Sequence, residues 1–344
     1  MYRSELFASF EKADLEILVQ RLKKLYEERR RYSQASLDGT FLLKPVPVLN
    51  LFGRTVRGVP VDDSRIRVLE SIPHAKLTVA VDASAKVLFN LGSTIIVESK
   101  AVTLAYRGFR RVAEIQSKRV SLVSSKAEAA EWLLRVEYEV ALRALNSLGG
   151  SGYLLMDRSL TVSPLYRATT RELVGRVERR ALAAGLVPVG LPKHTKLALD
   201  TGESLLGYIA SLAEKRLNSS PWLYYPVFRL ESLPPWMLGA PVVVKFSEIS
   251  GNVLRVDISR KALARFDYDG LLGELAFLQD VSSPGYPYPL KAAHEASKIS
   301  ESEIELDRMA ILEALSSRGI RNRLLLDSTA STSFKEKSLW GDTF

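Results

Sequence analysis

The chain has 344 residues, 47% hydrophobic and 25% charged, a soluble globular composition long enough for one large domain or two smaller ones. It has no run of about 18 apolar residues, and its opening Met1-Tyr-Arg-Ser-Glu-Leu lacks the order of a signal peptide, so a cytoplasmic protein without membrane contact is expected. The absence of cysteine excludes disulfides, thiolate zinc sites and cysteine nucleophiles, leaving hard ions such as Mg²⁺ or Mn²⁺, while 48 basic against 39 acidic residues (net +9) suit nucleic acid or a merely basic enzyme.

In chain order, the stretch from Asp14 to Arg31 sets Leu15, Leu18, Leu22 and Leu25 at helical spacing with charges elsewhere. This predicts an amphipathic helix whose stripe packs on its own domain or builds a dimer. Residues 33–72, with Pro45, Pro47, Gly53, Gly58 and Pro60, read as strands and loops. Leu77-Thr-Val-Ala-Val-Asp-Ala-Ser84 then alternates Leu77, Val79 and Val81 with Thr78, Ala80 and Asp82, and the acid is expected where the strand gives way. Two strands, about Val79 to Phe89 and Thr94 to Tyr106, form a hairpin or the start of a meander through Asn90-Leu-Gly92.

Ser125-Lys-Ala-Glu128 predicts a capping box opening a helix from about Lys126 to Leu148, ended by Gly149-Gly150. Gly152-Tyr-Leu-Leu-Met-Asp-Arg-Ser159 repeats the earlier pattern, with Asp157 ending an apolar strand. A helix from about Thr169 to Ala184 leads into a short strand at Leu186 to Lys193, and the order strand, helix, strand predicts parallel pairing in a mixed α/β sheet. A second hairpin follows from Pro241 to Phe246 and Val253 to Ile258. Ser300-Glu-Ser-Glu303 opens a last helix that Gly319 stops, and the tail after Ser328 is expected to be disordered. The expected organisation is an extension over 1–72, a core domain over 73–328 and a flexible tail over 329–344.

Asp82 and Asp157 both end apolar strands, where catalytic groups gather in sheets with helical crossovers, so neighbouring strands would bring them to one cation. On the helix between them, Leu133, Val140, Ala144, Leu148, Ala141 and Leu145 share an arc with Glu137, while Glu139 and Arg143 point away. A buried carboxylate is costly unless paired or bound to metal; an arginine salt bridge would also explain Glu137. Lys193, after its strand, could face a phosphate or hold a carboxylate. Of three histidines, His294 is the best imidazole candidate for a metal ligand or proton carrier, with a structural histidine as the plain alternative.

Phosphate-loop, dinucleotide-turn, His-Glu-x-x-His and Gly-x-Ser-x-Gly motifs are missing. Acids, a lysine and a histidine around hard ions point to phosphoryl chemistry. The basic stretch Tyr106-Arg-Gly-Phe-Arg-Arg111, giving Arg107, Arg110 and Arg111, with Lys118 and Arg119, and the cluster Trp222-Leu-Tyr-Tyr225 could grip phosphates and stack bases, or be a solvated edge and core packing.

Val79-Ala-Val-Asp-Ala-Ser84, the acid-bearing helix, Leu154-Leu-Met-Asp-Arg-Ser-Leu160, Lys193 and Gly285-Tyr-Pro-Tyr-Pro-Leu-Lys-Ala-Ala-His294 together resemble, in this order, the NurA nuclease family. The resemblance implies an RNase H-like mixed sheet flanked by helices. It implies a Mn²⁺-dependent DNA nuclease with single-strand endonuclease and 5′ to 3′ exonuclease activity. Such a nuclease works as a dimer with the hexameric HerA helicase in DNA end resection for double-strand break repair. Carried over by motif, Asp82, Glu137 and Asp157 would hold two ions, Mn²⁺ or Mg²⁺, His294 would be a further ligand or acid-base group, and Tyr286 and Lys193 would position the phosphate. A glycine often follows each family aspartate; here Ala83 and Arg158 stand there. A non-catalytic DNA-binding clamp of a translocase is the alternative. An actin-like ATPase would need glycine-rich loops that this chain lacks.

Overall fold

The computed structural model describes residues 12–32, 44–263 and 267–331. The strands are β1 (Pro47–Leu51), β2 (Arg54–Arg57), β3 (Ile66–Val68), β4 (Leu77–Asn90), β5 (Ile95–Arg107), β6 (Arg110–Val123), β7 (Gly152–Met156), β8 (Leu186–Gly190), β9 (Leu197–Leu199), β10 (Trp222–Tyr224), β11 (Gly239–Lys245), β12 (Leu254–Ser259), β13 (Gln279–Asp280) and β14 (Ser283–Pro287). The helices are α1 (Lys12–Tyr32), α2 (Lys126–Ser147), α3 (Ala168–Ala183), α4 (Leu205–Leu217), α5 (Arg260–Leu263), α6 (Tyr268–Phe277), α7 (Tyr288–Ser297), α8 (Glu301–Ser316) and α9 (Arg321–Ser331). Among the described residues, no helix is long and apolar enough to cross a membrane.

Nine strands form one mixed sheet in the order β3-β10-β11-β12-β8-β7-β4-β5-β6. Strands β4, β5 and β6 are an antiparallel meander, whereas β4 with β7 and β7 with β8 run parallel through the helical crossovers α2 and α3. The expected mixed α/β arrangement is therefore present. One face of the central strands buries Leu77, Val79, Val81, Leu154 and Met156 with residues of α2 and α3. The other buries Ala80, Leu155, Val187 and Val189 with Leu271, Leu272 and Leu275 of α6 and Leu290 and Ala293 of α7. Both faces of β4, β7 and β8 are apolar because both are covered, as a buried parallel segment requires.

Several local expectations differ from the structure. Asp82 does not end its strand: β4 continues to Asn90 because β5 pairs with it throughout, and only the parallel partner β7 stops at Met156, opposite Val81. The Ser125 side chain caps the Glu128 amide, but the Glu128 carboxylate bonds back to Ser124, so the box closes one residue early. Ser300 and Glu303 do form both arms of a capping box on α8. Gly319, at φ +71°, turns the chain from α8 into a further helix, α9, beyond the last helix expected from the sequence. That helix runs to Ser331, past the Ser328 boundary, and residues 332–344 lie outside the described residues. The leucine stripe of α1 is not covered by the domain: Leu18, Leu22 and Leu25 are exposed.

Helix α8 is tied to the meander by charge. Glu98 on β5 is 2% exposed and lies against Asp307, whose carboxylate pairs with Lys118. Burial first, then the hydrogen bond and charge of Asp307, push Glu98 up to about 7, against the opposing pull of Lys118. An acid raised in the folded state gives stability that is whole below its unfolded pKa and is lost as pH climbs from 4.5 through about 7. We expect Glu98→Gln to gain roughly 1–2 kcal/mol over the parent at pH 8 and almost nothing at pH 4.5. Thermal melts at the two pH values measure the difference; an equal gain at both would refute a titrating Glu98.

Candidate active site

The parallel pairing sets two acids at one level. Val81 stands opposite Met156, and Met156 opposite Gly190, so the next residue on each strand lies at one level: Asp82, still paired with Val102 inside β4, and Asp157, the first residue past the end of β7. The Asp157 amide still donates to the Val81 carbonyl, at 3.3 Å, which holds the turn against β4. Lys193 lies three residues beyond Gly190, past the end of the neighbouring strand β8, and brings its ammonium 2.7 Å from Asp157 Oδ2.

Helix α7 supplies the third side. Pro287 caps it and Pro289 sits in its first turn, positions where a missing N–H costs nothing. His294 and Ser297 are three residues apart and so share a face. His294 Nδ1 lies 2.9 Å from Asp82 Oδ2 and 3.8 Å from Asp157 Oδ2. The Ser297 hydroxyl donates to Asp82 Oδ2 at 2.8 Å. From β14, the Tyr286 hydroxyl donates to Asp157 Oδ1 at 3.1 Å.

Asp82, Asp157 and His294 thus present ligand atoms that all lie within 4.8 Å of one another. The donor set suits a cation. Lys193 Nζ is also 3.2 Å from His294 Nδ1, so an ammonium already sits against two of the three groups as a stand-in charge. One imidazole nitrogen cannot both accept from Lys193 and donate to Asp82, and an ion on that nitrogen would remove the conflict. Asp157 Oδ2 is buried and lacks a well-formed hydrogen bond despite its ion pair. Burial raises Asp157, Lys193 lowers it and the Asp82 charge raises it again; burial and the Asp157 carboxylate likewise push Tyr286 upward.

Glu137 stands next to this group. It is 1% exposed on the inner face of α2, as the helical arc predicted, whereas Glu139 pairs with Arg119 on the outer side. Its Oε2 is ion-paired with Arg158, the salt-bridge alternative, and it is not one of the three clustered ligands. Its Oε1 is buried without a hydrogen-bond partner. Burial, then the charges of Asp82 and Asp157, push Glu137 up to about 7 against the pull of Arg158.

The sequence-predicted Asp82, Asp157, Lys193, Tyr286 and His294 therefore converge, with Glu137 beside them. Ser297 was missed; its spacing of three from His294 was the available signal. The basic surface is dispersed. Arg107 and Arg110 are exposed at the β5–β6 hairpin, level with Leu77, about 17 Å along β4 from Asp82 at the usual strand rise. Arg111 pairs with Glu114, Lys118 with Asp307 and Arg119 with Glu139, so three of the five cations are partly neutralised. Trp222 and Tyr224 are fully buried in a core with β1, β9 and α4, and Leu223 in the core beneath α6 and α7, so of the two readings of these three residues the structure bears out packing.

The NurA domain family model matches residues 76–299. In fold, the chain is similar to the crystal structure of the NurA nuclease from Sulfolobus solfataricus, at 13% identity and a TM-score of 0.53, over 90% of this chain and 98% of that one. It is also similar to human ENDOV, at 14% identity and a TM-score of 0.41, over 71% and 94% of the two chains. Endonuclease V of Ciona intestinalis in complex with inosine-containing DNA matches at 14% identity and a TM-score of 0.40, over 82% and 96%. No curated protein matches the chain.

Proposed function

The chain belongs to the NurA family, and from that premise we propose that it is a divalent-metal-dependent DNA nuclease centred on Asp82, Asp157 and His294. The observation that carries this reading is the convergence of two carboxylates and an imidazole from three separate elements, with a lysine ammonium held against Asp157 and His294. Asp82, Asp157 and His294 would hold one ion, and Glu137, with an unpartnered buried oxygen, would contribute to a second. When bound, such ions polarise a phosphodiester and lower the pKa of water for in-line attack.

The protein's own groups complete the reading. Ser297 fixes Asp82, and Tyr286 fixes Asp157, so both carboxylates are oriented before a ligand arrives. Lys193 and Tyr286 both face Asp157, where they would position the scissile phosphate, the ammonium opposing its charge. Net charge of +9 favours a polyanionic substrate through release of its counterions. On family grounds we further propose that Mn²⁺ is the working ion and that the enzyme is both a single-strand endonuclease and a 5′ to 3′ exonuclease. By the same kinship it would act as a homodimer with HerA helicase in end resection.

The test incubates the purified full chain with end-labelled single-stranded and duplex DNA in Mn²⁺, Mg²⁺ or EDTA. Cleavage is expected in Mn²⁺, weaker in Mg²⁺ and absent in EDTA, with readdition of Mn²⁺ restoring it. Binding without cleavage in every metal, with HerA and ATP supplied, would identify a clamp instead.

A further inference from the structure

We propose that Arg158 is a positioning residue: it grips Glu137 by one oxygen, leaves the other for a cation, and thereby sets the metal affinity of the centre. The inference rests on the metal-dependent reading above. Arg158 directly follows Asp157, so one turn delivers a ligand carboxylate and the guanidinium that holds its neighbour. This turn has little freedom. A Cβ on Gly190 would lie 2.4 Å from the Arg158 carbonyl oxygen, and the Leu160 amide donates to Asp257 Oδ2 at 3.0 Å.

The manner of the grip distinguishes it from a plain structural salt bridge. Elsewhere in this chain, Arg255 engages Asp257 as a fork, with Nε 2.7 Å from Oδ1 and a terminal nitrogen 2.8 Å from Oδ2. That pair uses both carboxylate oxygens, as buried arginine pairs favour. Arg158 instead meets only Oε2 of Glu137, leaving both Glu137 Oε1 and its own Nε buried without hydrogen-bond partners. A fully buried carboxylate oxygen with no donor is costly, and Glu137 lies within the field of Asp82 and Asp157, so a cation on its free oxygen would offset charge that all three acids feel. Orientation of a ligand by an outer partner is worth about 10–100-fold in metal affinity.

The test measures Mn²⁺ binding directly, by the loss of the free-ion electron paramagnetic resonance signal, on the folded full chain without DNA. Wild type, Arg158→Ala, Arg158→Lys, Glu137→Ala and the double alanine variant are compared, each checked by circular dichroism. We expect Arg158→Ala to weaken binding about 10–100-fold, Arg158→Lys to recover part of the loss, and the double variant to bind no worse than Glu137→Ala alone. Non-additivity of this kind marks one residue acting through the other. Unchanged or tighter binding in Arg158→Ala would overturn the proposal, the latter showing that Arg158 competes with the ion. Should the alanine variant not fold, Arg158→Lys decides: wild-type affinity there would equally refute the role. A folded wild type that binds no Mn²⁺ would sink the metal reading itself.

Discussion

Asp82→Ala is expected to lower DNA cleavage by roughly 10³-fold or more while leaving DNA binding and the melting temperature close to those of the parent. Asp82 contacts His294 and Ser297 at once, so its removal strips the centre of the one carboxylate that links β4 to α7. The stability effect should be small for an electrostatic reason. Asp82 and Asp157 repel one another across the site, and deleting one relieves the other, whose charge is already disfavoured by burial. Loss of function without loss of fold is the signature of a site that stores unfavourable charge for a ligand. Gel shift and single-turnover cleavage on the same preparation measure the two quantities; a variant cutting at the parental rate would remove Asp82 from the chemistry.

The largest stability effect is expected away from the reacting groups, at Asp257. Asp257 and Arg255 expose 0% and 4% of their surfaces and are joined by two hydrogen bonds within β12. Asp257→Ala would leave a buried guanidinium unpaired and the Leu160 amide without its acceptor, at a cost of about 3–5 kcal/mol. Replacing both charged residues together with apolar ones of similar volume should return much of that loss, because desolvation of the pair is then avoided. Since Leu160 closes the turn that begins at Asp157, the single variant should also lose activity beyond its unfolded fraction. Urea denaturation provides the check, and a cost below about 1 kcal/mol would show the pair to be solvent-screened.

Much of the centre was legible because carboxylates are out of place on apolar elements. Asp157 follows the last residue of an apolar strand, and Glu137 sits on an arc of aliphatic residues of which Val140, Ala141, Ala144 and Leu145 are buried and Leu133 and Leu148 partly so, as the 3.6-residue period requires. Asp82 was found for the same reason, but its position within the strand was misread. Residues 83–87 are half-buried to exposed and include Ala83, Ser84, Ala85 and Lys86, so they carry little strand signal of their own, and β5 alone keeps them extended. Cross-strand pairing is a long-range fact, invisible to local pattern.

Other features were ambiguous in principle. Trp222-Leu-Tyr-Tyr225 fits a stacking platform and a core strand equally well until neighbours are known, and β11 on one side with β3 on the other settles Trp222, Leu223 and Tyr224 as core. Lys118 and Arg119 looked free because Asp307 lies 189 residues away and Glu139 on another element. Gly319 reads as a helix stop, which it is, yet nothing local says that another helix begins two residues later.

The most direct test of the central claim is anomalous diffraction from crystals of this protein soaked in Mn²⁺. We predict a peak bonded to Asp82, Asp157 and His294, with the Lys193 ammonium displaced from Asp157 Oδ2. A crystal saturated with Mn²⁺ whose three ligands remain empty, from protein that still cleaves DNA, would place the chemistry elsewhere.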